Sequence, residues 1–285
     1  MNANASFDIK IRGEKMIFTE PQVMGILNVT PDSFFAGSRK QTEREIAERA
    51  DNIIKEGGSM IDVGAFSTRP GANEVSEEEE MRRLRDALAI VRKQQPDAIV
   101  SVDTFRPDVA RMVVEEFGAD IINDVSEGGI TGIVDTPLQG NDSEIPEIFQ
   151  MVARLKVPYI LMSVKPTLEE MIPAFGKEIE MLQQLGHNDI ILDPGYGFGK
   201  TLDQNYQVLA HQEELQKFSL PILAGVSRKR MIWQLLESSA DEALNGTTAV
   251  NTVALLHGAN ILRVHDVREA AETVKIIREL TIECS

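Results

Sequence analysis

The chain has 285 residues, 42% of them hydrophobic, with one cysteine, a formal net charge of −16 and a pI near 4.8. That is long enough for one large α/β barrel or two ordinary domains, and apolar enough to build a core without staples. The acidic balance excludes a general nucleic-acid binder, and the lone Cys284 excludes a disulfide framework and suits a reducing cytoplasm. Neither a signal-peptide core in MNANASFDIKIRG nor a run of about 20 apolar residues points to export or a membrane.

Taken in order, residues 7–19, FDIKIRGEKMIFT, alternate apolar and polar around Arg12-Gly13 and predict a β-hairpin, a lid on one end of the fold. QVMGILNV (22–29) is an apolar strand carrying Asn28 at its end, and Thr42–Glu56 has helical spacing. Met60–Val63 is a second short strand, leading to Gly64 and the loop AFSTRPGANEVS. Ser76 with its following glutamates resembles a capping box and opens a helix through Gln94. Ala98–Val102 runs into Asp103, Pro107 opens a helix, and Asp120–Ile122 leads to Asn123. Gly128–Ser143 lacks a period and reads as a loop. A helix over Pro146–Lys156, a strand over Pro158–Met162, a helix over Leu168–Leu185 and a strand over Asp189–Leu192 follow. Next come a helix over Leu202–Gln216, a strand over Pro221–Ala224, and helices over Ser227–Glu237 and Asp241–His257. A last strand over Asn260–Leu262 ends at Arg263 and His265, and Asp266 caps a final helix, Val267–Leu280.

Eight strand-then-helix units without a break in composition predict one domain over residues 1–285 with a parallel sheet. The predicted architecture is a (β/α)8 TIM barrel with an N-terminal β-hairpin and an extra helix before the last strand. An open, doubly wound sheet is the competing arrangement.

The stretch DIILDPGYGFGK (189–200) carries the site argument. A buried strand ends in Asp193, and a glycine-rich loop follows that lets a ligand approach the backbone. Taken alone, an Asp-Pro-Gly is more often a turn former. The pattern recurs, however: Asn28, Asp62, Asp103, Asn123, Met162, Asp193 and Arg263 with His265 all stand at strand ends, where barrels keep their chemistry. Asp62, inside IDVG, reads as structural. An acid beside an amide suits a heterocycle with adjacent N–H donors, and carboxylates stabilise positive charge growing on such a ring. Basic groups gather after the last two strands, at Arg228, Lys229 and Arg230 and at Arg263 and His265. In a closed barrel the last strand neighbours the first, so a polyanion bridging Asn28, Arg263 and His265 is a geometric expectation.

Other motifs fail. His187, His211, His257 and His265 have no metal-ligand spacing. His187 and His211 lie in polar flanks and read as surface residues. Gly195, Gly197 and Gly199 fit neither a dinucleotide fingerprint nor a Walker loop. Met171 and Met181 read as core.

Seven segments in order, MGILNVTPDSF, IDVGAFSTRPGA, SVDTFRPDVA, IINDV, DIILDPGYGFGKT, GVSRKRMI and GTTAVNTVALLHGANILRVHDV, resemble the dihydropteroate synthase family of pterin-binding barrels. The resemblance implies condensation of hydroxymethyl-dihydropterin pyrophosphate with p-aminobenzoate in folate synthesis, with Mg2+ as cofactor, sulfonamides as inhibitors and a homodimeric state. By position, Asp103, Asn123 and Asp193 would bind the pterin edge beside Lys229, with Asp103, Asp193 and Lys229 taking the catalytic part. Val125 and Met162 would pack on the ring. Asn28, Arg263 and His265 would take the pyrophosphate, Asn28 together with Mg2+. Phe35, Thr68, Arg69, Pro70, Phe198 and Ser227 would border p-aminobenzoate. Ser163-Val164 and Arg230 depart from the family's His-Met and Ser, which bears on p-aminobenzoate contacts and the sulfonamide response. The competing functions are a methyltetrahydrofolate-dependent methyltransferase, which has no use for the cations, and a non-catalytic pterin-binding barrel.

Overall fold

The computed structural model describes residues 6–29, 39–65, 75–129 and 145–282. The chain opens with an antiparallel hairpin, β1 (Phe7–Ile11) and β2 (Glu14–Phe18). Its two turn residues, Arg12 and Gly13, have φ of 53° and 84°. Two consecutive positive φ values are what a tight hairpin turn matching strand twist requires.

Strands and helices then alternate. In order they are β3 (Gln22–Asn28), α1 (Arg39–Lys55), β4 (Met60–Gly64), α2 (Glu77–Gln94), β5 (Ile99–Asp103) and α3 (Pro107–Phe117). Next come β6 (Ile121–Asp124), α4 (Glu147–Leu155), β7 (Tyr159–Met162), α5 (Leu168–Gln184), β8 (Ile190–Asp193) and α6 (Leu202–Ala210). The last set is β9 (Leu223–Ala224), α7 (Arg230–Leu235), α8 (Leu244–Leu256), β10 (Ile261–Val264) and α9 (Val267–Ile282). The sheet order is β8-β7-β6-β5-β4-β3-β10-β9, parallel throughout. A parallel bridge between Leu192 and Ile222 joins the two ends. The fold is therefore the predicted (β/α)8 barrel with hairpin and extra helix, and its thinnest seam lies between β8 and β9.

Strand side chains alternate between the two faces of the sheet, and in this ring that rule sets three layers. Met24, Met60, Ile99, Ile121, Ile160, Ile191, Leu223 and Ile261, one from each strand, form a single buried cluster with Phe7, Ile9 and Ile11 of the hairpin. The hairpin is thus a plug at the N-terminal end of the barrel. The intervening residues, Ile61, Val63, Val100, Val102, Leu161 and Leu192 among them, pack outward against the helices. Two residues beyond the apolar layer stand Asp62, Ser101, Asn123, Met162, Asp193, Gly225 and Arg263. The floor of the barrel is hydrocarbon, and its next layer carries five polar side chains alongside Ile26, Met162 and Gly225.

Several local expectations change. The helix foreseen over Leu202–Gln216 ends at Ala210 and resumes as a tighter 3-10 stretch over Gln212–Phe218. The break turns Gln212 inward, where it accepts from the Tyr196 hydroxyl and donates to the carbonyls of Ala254 and His257. The helix foreseen from Ser227 starts only at Arg230, because Arg228 takes a φ of 54°. His187, read as a surface residue, is buried. The amide of Gly186 bonds Gln183 O and that of His187 bonds Leu182 O. That is a Schellman end to α5, whose last position commonly packs back onto the helix. Among the described residues no helix is long and apolar enough to cross a membrane.

Candidate active site

Asp62 is the hub of the polar layer. Its Oδ1 accepts from the Ser101 hydroxyl at 2.6 Å, and its Oδ2 accepts from Asn123 Nδ2 at 3.3 Å and from Arg263 Nε at 2.7 Å. Arg263 Nη2 also donates to Asp103 Oδ2 at 3.2 Å. Four strands, β4, β5, β6 and β10, are thereby pinned by one carboxylate and one guanidinium. The residue read as merely structural therefore orients two of the predicted site residues. Counting by twos from Met60 would have placed it in the same inward layer.

Two glycines keep this wall open. A Cβ at Gly64 would sit 3.3 Å from Asn28 Oδ1 and 3.6 Å from Asp103 Cβ. A Cβ at Gly225 would sit 3.9 Å from Asp193 Oδ2 and 4.0 Å from Arg263 Cβ. Asn28 and Asp103 thus flank one bare position, and Asp193 and Arg263 flank the other. The strand ends form one continuous surface from Asn28 round to Asp193.

Asp103 and Asn123 face each other in register on β5 and β6. Asp103 Oδ1 and Asn123 Oδ1 are both buried acceptors without a hydrogen-bond partner. Unpaired buried acceptors are costly, so a side-by-side pair is a built demand for donors. Burial pushes the Asp103 carboxyl up to about 7, against the pull of Arg263 and with help from the charges of Asp62, Glu80 and Asp124. Asp193 is also raised by burial, opposed by Lys229 and by the Gly195 amide, which donates to Oδ1 at 2.7 Å.

Lys229 comes to the same end from the β9–α7 loop. Its Nζ donates to the Tyr196 carbonyl and lies 4.6 Å from the centre of the Phe198 ring. Burial lowers its ammonium to about 8, partly offset by Asp193 and deepened by Arg263 and Lys200. His265 is lowered to about 4, first by burial and then by Arg263, so it is a neutral imidazole at pH 7. Its backbone amide donates to the buried Ser227 hydroxyl at 3.1 Å, and Arg49 holds its carbonyl at 2.8 Å. Met162 and Val125 are buried, and a Cβ at Gly195 would be 3.1 Å from Met162 Cγ.

The basic run Ser227-Arg-Lys-Arg divides. Arg228 turns away to Asp266 at 2.8 Å, so the carboxylate expected to cap α9 holds a guanidinium. Arg230 is exposed and donates to Gln234. Of the three, only Lys229 turns back toward Asp193 and the Tyr196–Phe198 turn. Ser163, one of the departures from the family pattern, is fully buried with its hydroxyl on Glu127 Oε1 at 2.8 Å. Phe35, Thr68, Arg69 and Pro70 lie outside the described residues. Among the described residues no group of three or more His, Cys, Asp or Glu side chains is arranged to hold a metal.

A family profile described as "Pterin binding enzyme" matches residues 24–265. The dihydropteroate synthase of Escherichia coli (strain K12) is 37% identical over 269 residues, covering 93% of this chain and 94% of that one. The solved structure of a Xanthomonas albilineans dihydropteroate synthase with 4-aminobenzoic acid superposes with a TM-score of 0.84 at 33% identity, covering 97% of this chain and 98% of that one. A dihydropteroate synthase from Coxiella burnetii in complex with pteroic acid superposes with a TM-score of 0.80 at 32% identity, covering 96% and 98%.

Proposed function

The chain belongs to the pterin-binding enzyme family, and from that premise we propose how its strand-end cavity works as a dihydropteroate synthase. It is a transferase of folate synthesis, joining hydroxymethyl-dihydropterin pyrophosphate to p-aminobenzoate and releasing pyrophosphate. The observation that carries the assignment of roles is the pair of unfilled acceptors, Asp103 Oδ1 and Asn123 Oδ1, beside Asp193 and Lys229.

In this reading the N–H edge of the pterin donates to Asp103, Asn123 and Asp193, and the Lys229 ammonium donates to the ring. Val125 and Met162 pack on its faces. The C–O bond to the diphosphate breaks, leaving a cation delocalised into the ring, which the two carboxylates stabilise. The aniline nitrogen closes the new C–N bond and loses a proton; being weakly basic, it needs no strong base. Arg263 has five N–H donors, more than Asp62 and Asp103 use, and turns the remainder to the diphosphate with Asn28 and the neutral N–H of His265. The exposed Asn28 amide at the rim fits Mg2+, which takes one or two protein oxygens and otherwise substrate phosphates and water. Bound there, Mg2+ would neutralise charge on the leaving group. Phe198, beside Lys229, borders p-aminobenzoate, as do Ser227 and the four residues outside the described set.

The whole chain, in this reading, is one barrel domain working in the cytoplasm as a homodimer. Leu235 at the end of α7 and Leu236 just beyond it, Val253 and Leu256 on α8, and Ile276 and Leu280 on α9 are exposed on neighbouring elements and supply an apolar face for a second copy.

The test is to incubate the protein with the pterin pyrophosphate, p-aminobenzoate and Mg2+ and to look for dihydropteroate. Asp193→Ala and Lys229→Ala are expected to stay folded and lose roughly 10²–10³-fold in kcat/KM. Near-normal turnover in both would remove these residues from the site. Pterin binding without pyrophosphate release would move the chain to the non-catalytic class.

A further inference from the structure

Lys200 lies outside every role given so far. It follows the glycine-rich loop and precedes Thr201, the cap of α6. Its Nζ lies 3.0 Å from the carbonyl of Gly195, 3.2 Å from that of Phe198 and 3.3 Å from that of Ser163. An ammonium has three N–H donors, so all three are spent on main-chain oxygens.

Those oxygens belong to two pieces of backbone. Gly195 and Phe198 are the ends of one tight turn, closed by the Phe198 amide on Gly195 O at 3.1 Å. Ser163 is the first residue beyond β7, and its amide bonds Asp193 O at 2.9 Å. Lys200 therefore ties both ends of the turn to the neighbouring strand. From the other side the same turn is held by Lys229, through the Tyr196 carbonyl. Gly197 makes room for that stem, since a Cβ there would stand 3.1 Å from Lys229 Cδ. The turn in its own right holds Asp193, through the Gly195 amide. Two ammonium groups thus share three carbonyls of one turn, and Asp193, Lys229 and Phe198 are all placed by it.

We infer that Lys200 is a positioning residue for the reaction: its ammonium fixes the Gly195–Phe198 turn so that Asp193, Lys229 and Phe198 address one substrate. This rests on the roles proposed for those three residues. A partly buried charge is retained at a cost in desolvation, and that burial lowers this ammonium to about 8 against the support of Asp193 and Glu127. A turn held by an apolar chain would avoid that cost but would leave the carbonyls of Gly195, Phe198 and Ser163 without this donor.

Lys200→Met and Lys200→Arg test it. Lys200→Met is expected to lose roughly ten- to hundredfold in kcat/KM, the scale of a displaced catalytic group. Amide exchange across residues 194–201 is expected to quicken in both variants, because a guanidinium does not reproduce a three-point ammonium grip. The alkaline limb of kcat/KM adds a readout that loss of stability alone does not divide between the two. The groups around Lys229 are Asp193 and Asp103, which raise its pKa, and Arg263 and Lys200, which lower it. Lys200→Met removes a cation and moves the limb to higher pH; Lys200→Arg keeps the cation and leaves the limb in place. Wild-type kcat, KM, limb and exchange in both variants overturn the inference. If Lys200→Met does not fold, wild-type exchange and kcat/KM in Lys200→Arg overturn it instead. A wild-type protein that makes no dihydropteroate strikes the parent reading, while the exchange measurement still decides whether Lys200 holds the turn.

Discussion

In the proposed reading, two residues set the pH range of the site from opposite sides. In that reading Asp103 accepts from the pterin as a carboxylate, and burial raises its pKa to about 7. Lys229 needs to be an ammonium, and burial lowers its pKa to about 8. Below the first value Asp103 holds a proton and loses an acceptor; above the second Lys229 loses its charge. The expected kcat/KM profile is a narrow bell with limbs near these two values. Combined with Lys200→Arg, which removes the other ammonium lowered to about 8, Lys229→Arg, which keeps its charge to high pH, should lose the alkaline limb whatever its residual rate. A wild-type profile flat between about pH 6 and about pH 9 would refute both assignments. At this scale the sequence was legible in part. Asp103, Asn123, Asp193 and Arg263 stand out as polar groups at strand ends, and Lys229 in the basic run after β9. Asp62 stands among them too, but its importance does not show, because it lies in three partners on three other strands. The run Ser227-Arg-Lys-Arg shows the reverse limit: three adjacent cations take three directions once Arg228 adopts a positive φ and pairs with Asp266.

Among the elements, the N-terminal hairpin is the one whose purpose the alternation of its own sequence leaves open. Its inward side chains complete the apolar floor made by one residue from each of eight strands. Arg12 latches it to Asp120 at 2.8 Å, and the Lys10 amide bonds Asp189 at 3.1 Å. The plug sits at the end of the barrel opposite the polar layer, so stability and catalysis separate here. Ile9→Ala, at a site only 1% exposed, should cost about 2–5 kcal/mol and lower the melting temperature, with kcat/KM near wild type at 25 °C. A large fall in kcat/KM without a fall in melting temperature would contradict this division. The helices were easier to read than their ends. Ser76 accepts from the Glu79 amide as its spacing implied, but α6 stops short because Gln212 finds partners on α8 and on Tyr196, which no local pattern encodes.

For the whole molecule, the exposed apolar residues of α7, α8 and α9 bear on assembly. Leu236→Asp is expected to shift the sedimentation coefficient of the full-length protein from dimer to monomer, since a charge placed in an apolar interface is left unpaired. A wild-type protein that sediments as a monomer at micromolar concentration would remove the homodimer from the proposal. The formal charge of −16 gives the surface a sign that repels a diphosphate, so in the proposed reading Arg263 must attract it at short range. The order of strands and helices and the polar strand ends were determined by the sequence alone, because periodicity and turn chemistry act between residues close in the chain, whereas closure of the ring over an open sheet was decided by the Leu192–Ile222 bridge. The tertiary structure decided which of those groups meet. Arg263 lies 201 residues from Asp62 and 160 from Asp103; such pairings depend on register around a closed ring and on competition for buried donors, and neither is written in local spacing.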